Sequence, residues 1–126
     1  MPDFLAELKS QLSNLVRHDV KLGIRRQDGS TLRQTYQFIQ EKTGRIMEEL
    51  TTPSYPPDAQ YLLNILTELT SRRQTGPNGL QPFTWSDIKT YMELTDTSLE
   101  YWELMLISHL DTVFCNAVSD ESEQES

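Results

Sequence analysis

Cysteine is nearly absent from this chain, basic residues are scarce in its second part, and no apolar run approaches the length of a membrane span. The 126 residues include one cysteine, Cys115, so an intramolecular disulfide is excluded. Its place at the end of an apolar helical stripe suits a small buried side chain better than a reactive thiol. A helical span needs about 18 or more consecutive apolar residues, and their absence predicts a soluble protein with no membrane partner. The opening "MPDFLAELKS" has neither the basic start nor the continuous apolar stretch of a signal peptide, which points to the cytoplasm. Only two histidines accompany the cysteine, too few for a zinc site without carboxylates that nothing singles out. Among the five glycines, those in "GPNGLQPF" lack the spacing and the following Lys-Ser or Lys-Thr of a phosphate-binding loop.

What is present is negative charge, unevenly placed. Residues 1–50 hold eight Lys and Arg against seven Asp and Glu, leaving +1, whereas residues 51–126 hold three against twelve, leaving −9. A chain with an isoelectric point near 4.6 is repelled by phosphate backbones, so nucleic acid is not an expected partner. The closing "SDESEQES" has four acids and no apolar group. Such a segment has no buried surface to offset its ordering entropy, and residues 118–126 are expected to be a disordered acidic tail.

Apolar residues at steps of three and four dominate the rest and define the fold class as all-α, a small single-domain bundle of about five helices. Phe4, Leu5, Leu8, Leu12, Leu15 and Val16 make Pro2 to about Gly23 an amphipathic helix, and residues 1–27 form this helix and a turn. The helical domain proper spans residues 28–117. Its first helix is capped by Ser30 or Thr31, carries Leu32, Tyr36 and Ile39, and ends at Gly44. Three prolines in "TTPSYPPD" forbid a helix there and predict an extended connector. Asp58 then opens a helix with Leu62, Ile65, Leu66 and Leu69 on one face, and Arg72 and Arg73 suit its negative end. The Gly- and Pro-rich "QTGPNGLQPF" reads as a long loop. Thr84 caps a fourth helix with Asp87 at N3, Phe83 is placed to staple against Ile88, and Trp85, Ile88, Tyr91 and Met92 are expected to face inward. The fifth helix starts near Ser98 or Glu100 and carries Trp102, Met105, Leu106, His109, Leu110, Val113 and Phe114.

Catalytic chemistry finds little support in these residues. His18 stands beside Asp19 and His109 two before Asp111, but residues one or two apart on a helix point in different directions. The glutamates fall at helix starts and polar faces, where solvation or capping explains them. No enzyme, cofactor or metal site is expected, which leaves binding. Tyr55 in the proline segment, and Leu80 and Phe83 in the long loop, are apolar groups on connectors. Either they fold back and seal the edges of the domain, or they contribute to a partner-binding patch.

The order "DGSTLRQTYQFIQEKTGR", "YPPDAQYLLNILTELTSRR" and "GPNGLQPFTWSDIKTYMELTDTSLEYWELMLISHLDTVF" resembles tail assembly chaperones of tailed bacteriophages, encoded near the tape measure gene. The resemblance covers Asp28 to Phe114. It rests on Leu32-Arg33, Thr43-Gly44-Arg45, the helix end from Leu69 to Arg72, Thr84-Trp85 with Ile88, and Trp102-Glu103 with Leu110-Asp111. Two departures stand out: Asp96 occupies a turn position where the pattern has Gly, and Glu100-Tyr101-Trp102-Glu103 replaces Thr-Pro-Trp-Glu. The resemblance implies a non-enzymatic protein of the host cell cytoplasm that binds the tape measure protein and helps to recruit tail tube subunits during virion morphogenesis. A structural head-tail connector of the virion and an acidic inhibitor of a host protein are the alternatives. Oligomeric state is open, since the N-terminal helix can pack on its own domain or pair with another copy.

Overall fold

The structure, a computed structural model, describes the backbone of residues 2–26, 28–73, 75–76 and 79–125 and the side chains of 4–26, 28–73 and 79–121. Five α-helices run in the order α1 (Pro2–Gly23), α2 (Leu32–Thr43), α3 (Gln60–Ser71), α4 (Trp85–Thr95) and α5 (Tyr101–Glu125). Two single turns of 3₁₀ helix, Glu48–Leu50 and Pro57–Ala59, interrupt the stretch between α2 and α3. An all-α bundle of five helices is therefore the observed class. The core lies among α1, α3 and α5: Leu8, Leu12, Val16 and Val20 of α1 meet Leu62, Ile65, Leu66 and Leu69 of α3 and Leu106, Ile107, Leu110 and Val113 of α5. Each such side chain contributes about 1.5–3 kcal/mol when fully buried. α3 and α5 point the same way, because Tyr61 meets Glu103 at their starts while Arg73, just past α3, meets Asp111 farther along. Connectors long enough to return to the starting end make this parallel arrangement possible.

Local chemistry sets the helix ends. Thr31 caps α2 through a complete capping box: its hydroxyl accepts from the Gln34 N–H, and the Gln34 side chain accepts from the Thr31 N–H. Gly44 closes the helix at φ 70. Thr84 and Asp87 form a second complete box at the start of α4. At α5 half of a box survives, with Glu103 accepting from the Glu100 N–H at 2.7 Å. Glu100 has no hydroxyl to return the favour, and its carboxylate instead accepts from the Trp102 indole at 2.7 Å.

Several expectations need correction. Asp58 does not cap α3; it sits inside the 3₁₀ turn Pro57–Ala59, and Ala59 precedes α3 with no side-chain cap. Pro57 favours that tight turn because its fixed φ suits a helix start and its missing N–H is not needed there. The expected loop after α3 contains a minimal antiparallel pair, β1 (Thr75–Gly76) and β2 (Gly79–Leu80), with Gly79 at φ 86. Arg72 and Arg73, expected to suit the negative end of α3, lie past its last turn, and the Arg73 side chain is buried, 4% exposed. Trp85 does not face inward: it is 57% exposed, and α4 buries Ile88 alone. The disordered tail from residue 118 is not confirmed, since α5 runs to Glu125. Ala117 and Val118 still pack against the core, and extending a helix that is already nucleated costs little. The side chains of 122–126 and the backbone of Ser126 lie outside the described residues.

Asp96 ends α4 in the left-handed region, at φ 53 and ψ 43, the one described non-glycine residue with positive φ. A Cβ is disfavoured there, though Asp tolerates the region better than most residues. Asp96→Gly is therefore expected to stabilise the fold by about 0.5–1 kcal/mol in urea denaturation, the strain relief exceeding the extra chain entropy of glycine. No gain on substitution would mean that Asp96 is held there without strain.

His109 is half-buried on α5, and its pKa lies below the ordinary 6.5, first because burial disfavours the charged ring and then because Lys9 and Arg17 of α1 repel it. Unfolding frees the ring to take a proton more readily, so the unfolded chain binds more protons between the folded pKa and 6.5. Stability contributed by the neutral ring is thus complete above about pH 6.5 and declines as pH falls through that range. His109→Gln should flatten this decline in melting temperature measured from pH 7.5 to 5, whereas an unchanged profile would assign the acid sensitivity to other groups.

Candidate functional site

The three residues expected to serve as partner contacts occupy separate places. Tyr55 is half-buried against the core, donates its hydroxyl to Gln60 at 2.5 Å, and lines a cleft of about 660 Å³ with Leu15, Val20, Leu63, Leu66 and Phe114. Phe83 also packs against the core, and it lines a second cleft of about 790 Å³ with Glu68, Arg72, Tyr91 and Leu94. Leu80 is half-buried on β2. Tyr55 and Phe83 thus line different clefts, and the fold does not gather the three into one patch.

Phe83 is held by an arrangement that the sequence reading missed. Asp111, in the middle of α5, accepts from the Arg73 guanidinium and, at 2.7 Å, from the Phe83 backbone N–H. Arg73 in turn donates to the Gln81 carbonyl at 2.7 Å and lies 3.8 Å above the centre of the Phe83 ring. The guanidinium therefore ties the end of α3, the segment around β2 and the start of α4 to one carboxylate. Cys115 sits at the edge of this cluster, 3.5 Å from Arg73. Burial first, then Asp111, raises the pKa of its thiol above the usual value, which suppresses the nucleophilic thiolate. The signal available in the sequence was Asp111 itself, an acid among apolar neighbours one turn before Cys115.

The histidines form no acid-base pair. His18 Nδ1 lies 3.7 Å from the Asp19 carboxylate, beyond hydrogen-bond range, while Nε2 lies 2.9 Å from the Glu49 carbonyl and ties the 3₁₀ turn after α2 to α1. Among the described residues, no group of three His, Cys, Asp or Glu is placed to hold a metal ion. No described helix is long and apolar enough to cross a membrane.

An open, apolar groove lies between α4 and the start of α5. Trp85, Ile88, Met92 and Leu104 line a groove of about 480 Å³ whose charged lining residues are Lys89 and Glu93. The spacing 85, 88 and 92 is that of a single helix face, so α4 turns one stripe partly into the core through Ile88 and partly outward through Trp85. On the first turns of α5, Tyr101 is 76% and Met105 42% exposed. Large exposed aromatics grouped with aliphatic neighbours are the usual anchors of protein interfaces. The groove's two charged lining residues, Lys89 and Glu93, lie 3.9 Å apart and offset each other, while Asp87 lines the cleft beside Phe83 and Glu103 accepts from the Tyr61 hydroxyl of α3.

Fold and surface together define a small all-α protein with an open apolar groove between α4 and α5. The family model for phage tail assembly chaperone matches residues 39–116, and the chain belongs to that family. The match takes in α3, α4, the groove and most of α5, and leaves α1 and more than half of α2 outside. No curated protein and no solved structure matches the chain.

Proposed function

We propose that this protein acts in the host cytoplasm as a non-enzymatic chaperone of phage tail assembly, binding the tape measure protein and helping to recruit tail tube subunits. The observation that carries the reading is the family match over residues 39–116. The open groove between α4 and α5 supports it, because a protein that keeps long amphipathic helices soluble needs an apolar surface that is exposed before the client arrives. The overall charge of −8 favours solubility of the resulting complex.

Co-expression with the cognate tape measure protein tests the reading. The client is expected to move from the insoluble to the soluble fraction when this chain is present, and purified virions are expected to lack the chain. A client that stays insoluble, together with stoichiometric amounts of this chain in virions, would replace the chaperone reading with that of a head-tail connector.

A further inference from the structure

We infer that α4 is a separate cooperative unit, a strap that opens by local unfolding of residues 84–96 while the bundle of α1, α3 and α5 stays folded. Its attachment is slight. Of the eleven residues of α4, Ile88 alone is buried, and it stands apart from the continuous cluster of buried residues that α1, α3 and α5 share. Tyr91, one turn on, packs a half-buried ring against that cluster and donates its hydroxyl to Glu68 of α3 at 2.5 Å. Clefts run along both sides of the helix: Met92 and Glu93 line the groove toward α5, whereas Thr90 and Leu94 line the cleft toward α3. The helix is thus held along one narrow line.

The segment is bounded by two anchors that belong to the bundle. Phe83 packs against the core with its N–H bound by Asp111, and Leu99 packs against the core on the other side. Between them the helix ends are set by local chemistry, Thr84 with Asp87 at the start and Asp96 in the left-handed region at the end, so no helical turn carries across either anchor. Eleven residues fall below the roughly 12–15 that an isolated helix needs in water. Once Ile88 and Tyr91 leave the body, nothing keeps the segment helical. Segments with few buried apolar contacts open at lower free energy than the core they border. Opening removes the α4 side chains beside Leu69 of α3 and Leu104 of α5, each of which lines one of the two clefts. The fold can therefore uncover apolar surface without disturbing its bundle.

Amide hydrogen exchange of the intact chain, resolved by residue and corrected for intrinsic rates, provides the test. The amides from Lys89 to Glu93 are expected to exchange at least about a hundredfold faster than the slowest amides of α3 and α5. Low urea should accelerate those slow amides steeply and the α4 amides little, because opening a short segment exposes little surface. Ile107→Val, which thins the core without emptying it, should speed the slow amides of α3 and α5 roughly twofold to tenfold and leave α4 unchanged. Tyr91→Phe should speed α4 exchange roughly threefold to tenfold through loss of the hydrogen bond to Glu68. In Ile88→Ala the α4 amides should lose their protection while α3 and α5 remain at least about a hundredfold slower. A single rate and urea dependence shared by α4, α3 and α5 in the unaltered chain would overturn the inference. So would equal acceleration of all three helices in Ile107→Val, or loss of protection throughout the chain in Ile88→Ala. An unchanged α4 rate in Tyr91→Phe would remove the hydrogen bond to Glu68 as a fastening of the strap.

Discussion

Asp111→Ala is expected to destabilise the protein by about 3–5 kcal/mol, the range found when one partner of a buried ion pair is removed. The side chains of Arg73 and Asp111 are 4% and 3% exposed, so neither can turn to solvent when its partner is lost. Removal of the carboxylate leaves the guanidinium charged in the interior and deprives the Phe83 N–H of its acceptor at the same time. Arg73→Ala should cost a similar amount for the complementary reason, with the further loss of the bond to Gln81 and the stacking on Phe83. The double substitution Arg73→Met with Asp111→Leu is expected to be less damaging than either single change, because no uncompensated charge remains. It will still fall short of the unaltered protein by about 1–3 kcal/mol, the cost of leaving the Phe83 N–H unpaired. Urea denaturation of the four proteins checks all of this. A loss of less than 1 kcal/mol in Asp111→Ala would mean that water reaches the site. Labelling of Cys115 gives an independent readout: the thiol is buried beside this cluster, and its reaction should accelerate in the single variants as the cluster opens.

The contrast between this cluster and the rest of the molecule shows where sequence reasoning succeeds. The faces of α1, α3 and α5 were largely legible because periodic burial repeats the same physics at each turn, although Phe4 and Leu5 on the α1 stripe and Met105 on the α5 stripe are exposed. Leu62, Ile65, Leu66 and Leu69 were expected on one face, and all four are buried. The caps of α2 and α4 were legible for a different reason, since Thr31 with Gln34 and Thr84 with Asp87 act within a single turn of chain. Arg73 and Asp111 are 38 positions apart, and nothing in the local pattern around either announces the other. Trp85 illustrates a third case: at the first residue of α4, periodicity assigns it a face but cannot say whether a neighbouring element covers that face. Charged Lys89 and Glu93 within the same stripe were the available hint that it stays open. The groove was therefore not legible as a site: Trp85, Ile88 and Met92 read as an inward stripe, the expected partner contacts Tyr55, Leu80 and Phe83 do not line it, and its exposure was decided by tertiary packing.

Leu12→Ala is expected to cost about 2–5 kcal/mol, although α1 lies wholly outside the region matched by the family model. Leu12 is 0% exposed and belongs to the same cluster as Leu62, Leu66, Leu106 and Leu110. Its truncation opens a cavity at the centre of the bundle, where atoms from three helices would all have to move to refill it. Leu5, on the same helix but 38% exposed, supplies the control, and Leu5→Ala should change stability by no more than about 0.5 kcal/mol. Urea denaturation should show the Leu12 midpoint shifted with the slope preserved, as befits a folded state of unchanged extent. The measurement also bears on how α1 is partnered. Packing within one chain predicts a loss that does not depend on protein concentration, whereas pairing of α1 with another copy predicts a midpoint that rises with concentration. If Leu12→Ala costs less than 1 kcal/mol, α1 is not part of the core in solution. The apolar faces of α3 and α5 would then be open for a client, and the groove beside Trp85 would not be the principal docking surface.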